Sequence, residues 1–290
     1  MQVPASFAYE RASSVRDALD LLRRHGPDAR PIAGGHSLLP MMKLRLAEPT
    51  VLVDLGGLAE LAGVAIEGTN IRFGAMTRHA DVLASPVVAE HLPILVDAER
   101  VIADPLVRNR GTVGGSLCQA DPSEDLSAAF SALRASVVIS GTNGDRVVAV
   151  RDFHRGPYET AVAHDELVTD VLVPIRPRTG SAYAKVERRA GDWAVAAAGA
   201  VLTLDGDRIA DAGIGLAAVG ATHFVAVEAE ESLRGAPATP ASFTTAGALA
   251  AEHVRPVADQ RGPVDYKRHL VEVLVTRTLT RAAARARGEA

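Results

Sequence analysis

Arg110-Gly111-Thr112-Val113-Gly114-Gly115-Ser116-Leu117-Cys118-Gln119-Ala120-Asp121-Pro122-Ser123-Glu124-Asp125 is the stretch around which the rest of the chain is read. Two adjacent glycines meet a hydroxyl at Ser116, and Thr112 and Gln119 add polar arms. Paired glycines can take positive φ and let a ligand approach the backbone with no Cβ in the way. Successive N–H groups at such a turn form an anion-binding concavity. Asp125 opens an apolar, helix-like run to Leu133 and reads in two ways: a plain helix cap, or a carboxylate accepting from both hydroxyls of a ribose.

Upstream, Pro31-Ile32-Ala33-Gly34-Gly35-His36-Ser37-Leu38-Leu39-Pro40 repeats the arrangement. A short strand, Arg30 to Ala33, delivers two glycines and then the Ser37 hydroxyl, and a helical pattern follows. One such segment is more often a tight turn than a ligand site. Two of them, each after an apolar segment, suit a ligand with two phosphates, the shape of a dinucleotide diphosphate.

Composition sets the bounds. The 290 residues are 48% apolar and 23% charged, with a formal charge of -4. That excludes intrinsic disorder and argues against generic nucleic-acid binding, which needs a positive surplus. A length prior gives about two domains. The single cysteine, Cys118, excludes an intramolecular disulfide and an iron–sulfur cluster ligated wholly by this chain; packing is its expected role. The first residues carry no basic and apolar signal pattern. The longest uncharged apolar run, Trp193 to Leu204, falls short of the ~20 residues of a spanning helix. The chain therefore reads as soluble and cytoplasmic, with no membrane span and no metal site of its own.

Outward from the two loops, Ser14 and Gly26 bracket a helix with apolar Val15, Ala18, Leu19 and Leu22. Val51 to Val53 is a short strand ending at Asp54. Leu61–Ile66 and Ile71–Phe73 form a hairpin, as do Ser136–Ser140 and Arg146–Val150. Thr77 is expected to cap a helix through Leu83, Pro86 to Ile102 to be helical with a break at Pro93, and 104–121 to be turn-rich. Leu167 to Ile175 is a strand. A domain boundary falls near residue 176, giving 1–176 (subdomains about 1–56 and 57–176) and 177–290. In the second part, Ala194–Leu204 and Arg208–Val219 are paired strands, and Ala241–Val254 and Val264–Arg287 are helices. Arg277, Arg281 and Arg285 are expected on a solvated face. Gly213-Ile214-Gly215 imitates a dinucleotide fingerprint, but the apolar pattern runs straight through it as a strand, so no Rossmann site is expected. Hairpins mixed with helices give an α+β class.

The chain also resembles a known family. Ala33-Gly34-Gly35-His36-Ser37-Leu38-Leu39-Pro40-Met41-Met42-Lys43-Leu44-Arg45 resembles the first FAD loop of the medium, flavin-binding subunit of the carbon monoxide dehydrogenase and xanthine dehydrogenase (molybdenum hydroxylase) family. Arg110 to Leu117, with Ala120-Asp121-Pro122 and Asp125, resembles the second loop, and Lys185-Val186-Glu187-Arg188-Arg189 with Gly191-Asp192 a third block. The resemblance implies a p-cresol methylhydroxylase-type FAD-binding fold of two α+β subdomains, plus a smaller C-terminal domain of sheet and terminal helices. It implies non-covalent FAD that accepts single electrons and later gives up a pair. A large molybdenum-pterin subunit and a small subunit with two [2Fe–2S] clusters are the implied partners, in a heterohexamer. The cofactor carries the hard chemistry and the protein positions it.

Position by position, the resemblance puts Ile32, Ala33, Gly34, Gly35, His36, Ser37, Leu38 and Leu39 around the diphosphate. It puts Gly111, Thr112, Gly114, Gly115, Ser116 and Gln119 on its other side, near the flavin edge. Asp125 is implied at the adenosine ribose, Ile102 and Val168 as apolar contacts, Lys185 at the pyrimidine end of the flavin, and Trp193 near the ring or, alternatively, in the core. His36 shares a Gly-Gly-His context with covalent flavin oxidases but is implied to be a non-covalent neighbour. Two competing functions are a stand-alone flavin oxidase of the same broad fold and a flavin-binding scaffold. The nine histidines form no convincing pair with a carboxylate to support the former. Neither the reducing substrate nor the electron acceptor is named by the sequence.

Overall fold

The computed structural model describes residues 3–220 and 224–289. Among the described residues, three main sheets follow one another along the chain, with a two-stranded ribbon of His154–Gly156 and Glu159–Thr160 beside them. Strands Ala8–Arg11, Ala29–Ile32 and Val51–Asp54 make a parallel sheet with Val51–Asp54 in the middle. Helix Val15–His25 crosses between the first two: Ser14 caps it by accepting from the Asp17 amide, and Gly26, at φ 69°, ends it. Ala18, Leu19, Leu21 and Leu22 form its buried face. A chain segment this short can return parallel only through such a crossover.

The second sheet is antiparallel and five-stranded. From edge to edge it runs Val64–Glu67, Asn70–Gly74, Leu167–Pro174, Ser136–Gly141 and Gly144–Ala149. Both expected hairpins are present, although residues 59–61 turn as a 3₁₀ helix rather than opening the first strand. Between its second and third strands in sequence the chain makes a run of short helices, several opened by proline at the first turn. Thr77 does not cap the first of them, His79–Ala84. Its hydroxyl instead accepts from the Gly63 amide and donates to the Gly63 carbonyl, both at 2.9 Å, and so ties the helix entry to the hairpin.

The third sheet, antiparallel, has Ala194–Asp205 between Thr179–Glu187 and Arg208–Ala217. Its first strand was not anticipated, because Gly180 and weak alternation hide it. Nor was helix Val227–Leu233. Ala194–Asp205 is almost wholly buried on both faces. Helices Asp125–Ala132 and Pro93–Val101 cover one face, and Val264–Arg287 the other. The alanine-rich sequence of this strand fits a layer pressed from both sides. Gly213-Ile214-Gly215 lies within strand Arg208–Ala217, as expected. A Cβ at Gly215 would sit 1.9 Å from the Ala128 carbonyl oxygen, so these glycines admit a helix backbone onto the sheet.

Arg281 and Arg285 depart from the solvated face expected for them. Arg281 donates to Asp97 Oδ1 at 2.9 Å and Arg285 to Asp97 Oδ2 at 2.7 Å. Arg285 also donates to the Ser181 carbonyl, and Asp97 accepts from the Tyr183 amide. Asp97 is 5% exposed, so the terminal helix reaches across the third sheet to a buried carboxylate on helix Pro93–Val101. Arg277 is exposed. Breaking a buried pair leaves an uncompensated charge and costs about 3–5 kcal/mol. Asp97→Ala is therefore expected to lower unfolding free energy in urea by roughly 3 kcal/mol. Arg281→Ala, at a 48% exposed side chain, should cost less than about 1 kcal/mol. Equal effects of the two substitutions would contradict this reading.

Candidate functional site

The first glycine loop leaves strand Ala29–Ile32 and enters the short helix Leu38–Lys43. Gly35 sits at φ 78°, where a side chain is strained. Gly34 rests on the second loop: a Cβ there would lie 2.2 Å from the Arg110 carbonyl oxygen. Among the described residues, the amides of Gly34, Gly35, His36 and Ser37 donate to no protein acceptor, and the Ser37 hydroxyl makes no cap bond. Four consecutive amides without acceptors form a concavity that calls for an anion or water. Leu39, expected around the diphosphate, packs beside Gly35 and is not among the residues that line the cleft.

The second segment corrects the sequence reading more deeply. Val113–Gln119 is a helix, not a turn. Thr112 caps it by accepting from the Gly115 amide at 3.1 Å. The amides of Val113, Gly114 and Ser116 donate to Thr77, Ala75 and Thr112 carbonyls at 3.0, 2.8 and 3.0 Å. The backbone here is engaged within the protein, so it is not a second amide cradle. The segment instead presents the Ser116 hydroxyl and the Gln119 side chain, which donates to Met41 Sδ. The signal for a helix was in the sequence: Thr112 stands three residues before Gly115, the spacing of an N-cap.

Glu124, not Asp125, caps helix Asp125–Ala132, accepting from the Leu126 and Ser127 amides. That frees Asp125. Its carboxylate accepts from Lys185 Nζ at 2.9 Å and from the Tyr183 hydroxyl at 2.7 Å, all three side chains being buried. Lys185 also donates to the Val101 carbonyl. Burial pushes the Asp125 carboxyl above its ordinary range, while Lys185 and Tyr183 pull it back. Burial and the Asp125 charge push the Tyr183 phenol well up. The roles implied for Asp125 and Lys185 set them at opposite ends of an extended dinucleotide. Joined in one ion pair, they lie side by side in the cleft.

Every expected site residue except Leu39 lines a single cleft of about 990 Å³. That volume is at the upper end of small-molecule sites, roughly 300–1,000 Å³. Ile32 to Leu38 form one wall, and Gly111, Thr112, Gly114 to Ser116 and Gln119 another. Ile102, Val168, Asp125, Lys185 and the half-exposed Trp193 also line it. Residues not anticipated in the lining include His79, Glu124, Cys118 and Tyr158. His79 pairs with Glu99, twenty residues on in sequence, a contact that only the fold reveals. Among the described residues, no histidine, cysteine or carboxylate group clusters as metal ligands, and no helix is long and apolar enough to cross a membrane.

Comparison with known proteins gives a consistent picture. Residues 5–176 match the family model for the FAD binding domain in molybdopterin dehydrogenase, and residues 181–282 match that for the CO dehydrogenase flavoprotein C-terminal domain. The chain is 42% identical over 286 residues to the carbon monoxide dehydrogenase medium chain of Afipia carboxidovorans, covering 98% of this chain and 99% of that one. It is 39% identical to the nicotine 6-hydroxylase medium subunit of Paenarthrobacter nicotinovorans, over 98% of this chain and 100% of the relative. Among solved structures, a chain of reconstituted CO dehydrogenase from Oligotropha carboxidovorans matches with a TM-score of 0.94 at 42% identity, over 98% of this chain and 99% of that one. A chain of quinoline 2-oxidoreductase from Pseudomonas putida 86 matches with 0.91 at 34%, over 99% of each.

Gly34→Ala separates the two walls of the cleft by forcing its new methyl off the Arg110 carbonyl. Its expected effect on FAD affinity, read by fluorescence titration, is a loss of about tenfold or more, equivalent to ~1.4 kcal/mol. Wild-type affinity in this variant would contradict the geometry.

Proposed function

The chain belongs to the family of molybdopterin dehydrogenase FAD-binding subunits, and from that premise we propose that it is the electron-transfer subunit of a molybdenum hydroxylase complex. In this reading it holds FAD without a covalent bond and works between partner [2Fe–2S] clusters and an external acceptor. A large molybdenum-pterin subunit and a small iron–sulfur subunit complete the assembly, two copies of each chain making a heterohexamer. Residues 1–176, as subdomains about 1–56 and 57–176, form the cofactor domain, and 177–290 its cover.

The observation that carries the reading is the row of acceptor-free amides from Gly34 to Ser37. They fit the anionic diphosphate of a dinucleotide, and Ser37 and Ser116 add hydroxyls to the same region. Asp125 is placed to accept from a sugar or ribityl hydroxyl while Lys185 keeps its charge compensated. Lys185, Ile102 and Trp193 suit the isoalloxazine end: a cation for charge developing on the ring, and apolar surface against its faces. Val168 adds apolar surface to the lining, and His36 serves through its amide. When bound, FAD supplies a centre that takes up electrons singly and releases them in pairs. The chain's own part is to bind, orient and tune.

Purified protein is expected to take up one FAD per chain, to release it on acid precipitation, and to turn over no small organic substrate alone. A pellet that retains flavin would contradict the non-covalent assignment, and steady turnover would favour a self-contained oxidase. Lys185→Met removes a positive charge from the reduced ring's side of the site. It should lower the flavin midpoint potential by roughly 30 mV or more, the equivalent of tenfold for a two-electron couple, read by spectroelectrochemical titration. An unchanged or raised potential would contradict the placement of Lys185.

A further inference from the structure

A buried chain of three side chains runs behind the cleft wall. Glu99, on helix Pro93–Val101, is fully buried, and His79, at the start of helix His79–Ala84, is 3% exposed. His79 Nδ1 lies 3.1 Å from the Glu99 carboxylate, and Nε2 lies 3.2 Å from Ser116 Oγ. Ser116 and His79 both line the cleft. Gly111 makes room for the ring: a Cβ there would sit 2.7 Å from His79 Cδ2. One carboxylate oxygen of Glu99 has no hydrogen-bond partner among the described residues, and His79 and Arg108 are the groups that favour its charged form against burial.

The protonation of this ring decides what Ser116 can offer. With Nδ1–H directed at Glu99, a neutral ring has a bare Nε2, which must accept the serine O–H. Only serine lone pairs then face the cleft, and they repel a phosphate. A doubly protonated ring donates through Nε2–H to Ser116 Oγ. The serine proton is then free to point into the cleft.

We propose that Glu99 and His79 are positioning residues which keep the His79 ring cationic and thereby fix Ser116 as a hydrogen-bond donor to the anionic dinucleotide; this rests on the FAD reading above. The surrounding groups favour it on balance. Burial pulls the His79 pKa down, but the charge and hydrogen bond of Glu99 pull it up by more. Glu124 adds to that and Arg108 opposes it, so the ring titrates above the ordinary histidine value. Burial pushes the Glu99 carboxyl up, against the pull of His79 and Arg108, with Asp125 adding to the rise. The sign follows: the donor state exists below the raised His79 value, while Glu99 stays ionised, and is lost as pH rises through it.

FAD affinity of the full chain, measured by fluorescence titration from mildly acidic to alkaline pH, is expected to fall about tenfold on the alkaline limb, the scale of one charge-assisted contact. Glu99→Gln removes the main opposition to burial and leaves only Glu124, so the limb should move to lower pH. Ser116→Ala should bind weakly throughout and lose the limb. Imidazole ¹⁵N shifts, assigned by difference with His79→Asn, should show both ring nitrogens of His79 protonated at neutral pH without any ligand. A neutral His79 ring in the wild type, an unmoved limb in Glu99→Gln, or wild-type affinity in Ser116→Ala would each overturn the proposal. Absence of FAD binding by the wild type at every pH would overturn the FAD reading itself, and the nitrogen shifts still report on the ring. Should Glu99→Gln not fold, the wild-type spectra and Ser116→Ala decide.

Discussion

The ion pair between Asp125 and Lys185 is the constraint on which the site's layout rests. Two opposite charges are held out of water at 2.9 Å, and Tyr183 donates to the other oxygen of the carboxylate, which keeps lone pairs for a further donor. Asp125 begins helix Asp125–Ala132, and Lys185 and Tyr183 lie on the first strand of the third sheet. The pair therefore ties residues 5–176, matched by the FAD-binding model, to residues 181–282, matched by the C-terminal model, at the lining of the cleft. Taking either charge alone into that setting would cost several kcal/mol, and because Glu124 caps the helix, Asp125 is left to face Lys185. The same seam is held a second time by Asp97 with Arg281 and Arg285.

The Gly34–Ser37 turn uses backbone rather than charge. Its amides at Gly34 to Ser37 have no acceptor among the described residues, while those of Val113 to Ser116 are all engaged. The two glycine pairs look alike in sequence and do different work. One is a turn that offers donors. The other lies in the first turn of a helix, where Gly114 lets that helix sit 2.6 Å, measured to a would-be Cβ, from the Ala75 methyl. Polarity on this second wall comes from side chains, Ser116 above all, and so depends on what stands behind them.

Much of this was legible from the sequence. Helix Val15–His25 carries its start and stop residues in plain view, and the hairpins, the Gly213-Ile214-Gly215 strand and the terminal helices follow from periodicity. The list of cleft residues came from motif resemblance and converges on one cavity apart from Leu39. What could not be read was partnership at long range. Arg281 and Arg285 have the spacing of a solvated stripe, and only packing brings Asp97 to them. The Glu99–His79–Ser116 chain joins three helices, and no local pattern announces it. Glycine pairs misled in the second loop because the residue permits both a turn and a close helix contact, and only the hydrogen-bond pattern tells them apart.

A structure of this chain with FAD bound, by crystallography or by electron microscopy of its assembly, bears most directly on the account. The diphosphate is expected on the amides of Gly34 to Ser37, with the isoalloxazine ring toward Lys185 and Trp193. Density for the diphosphate elsewhere, with those four amides facing only solvent, would contradict it.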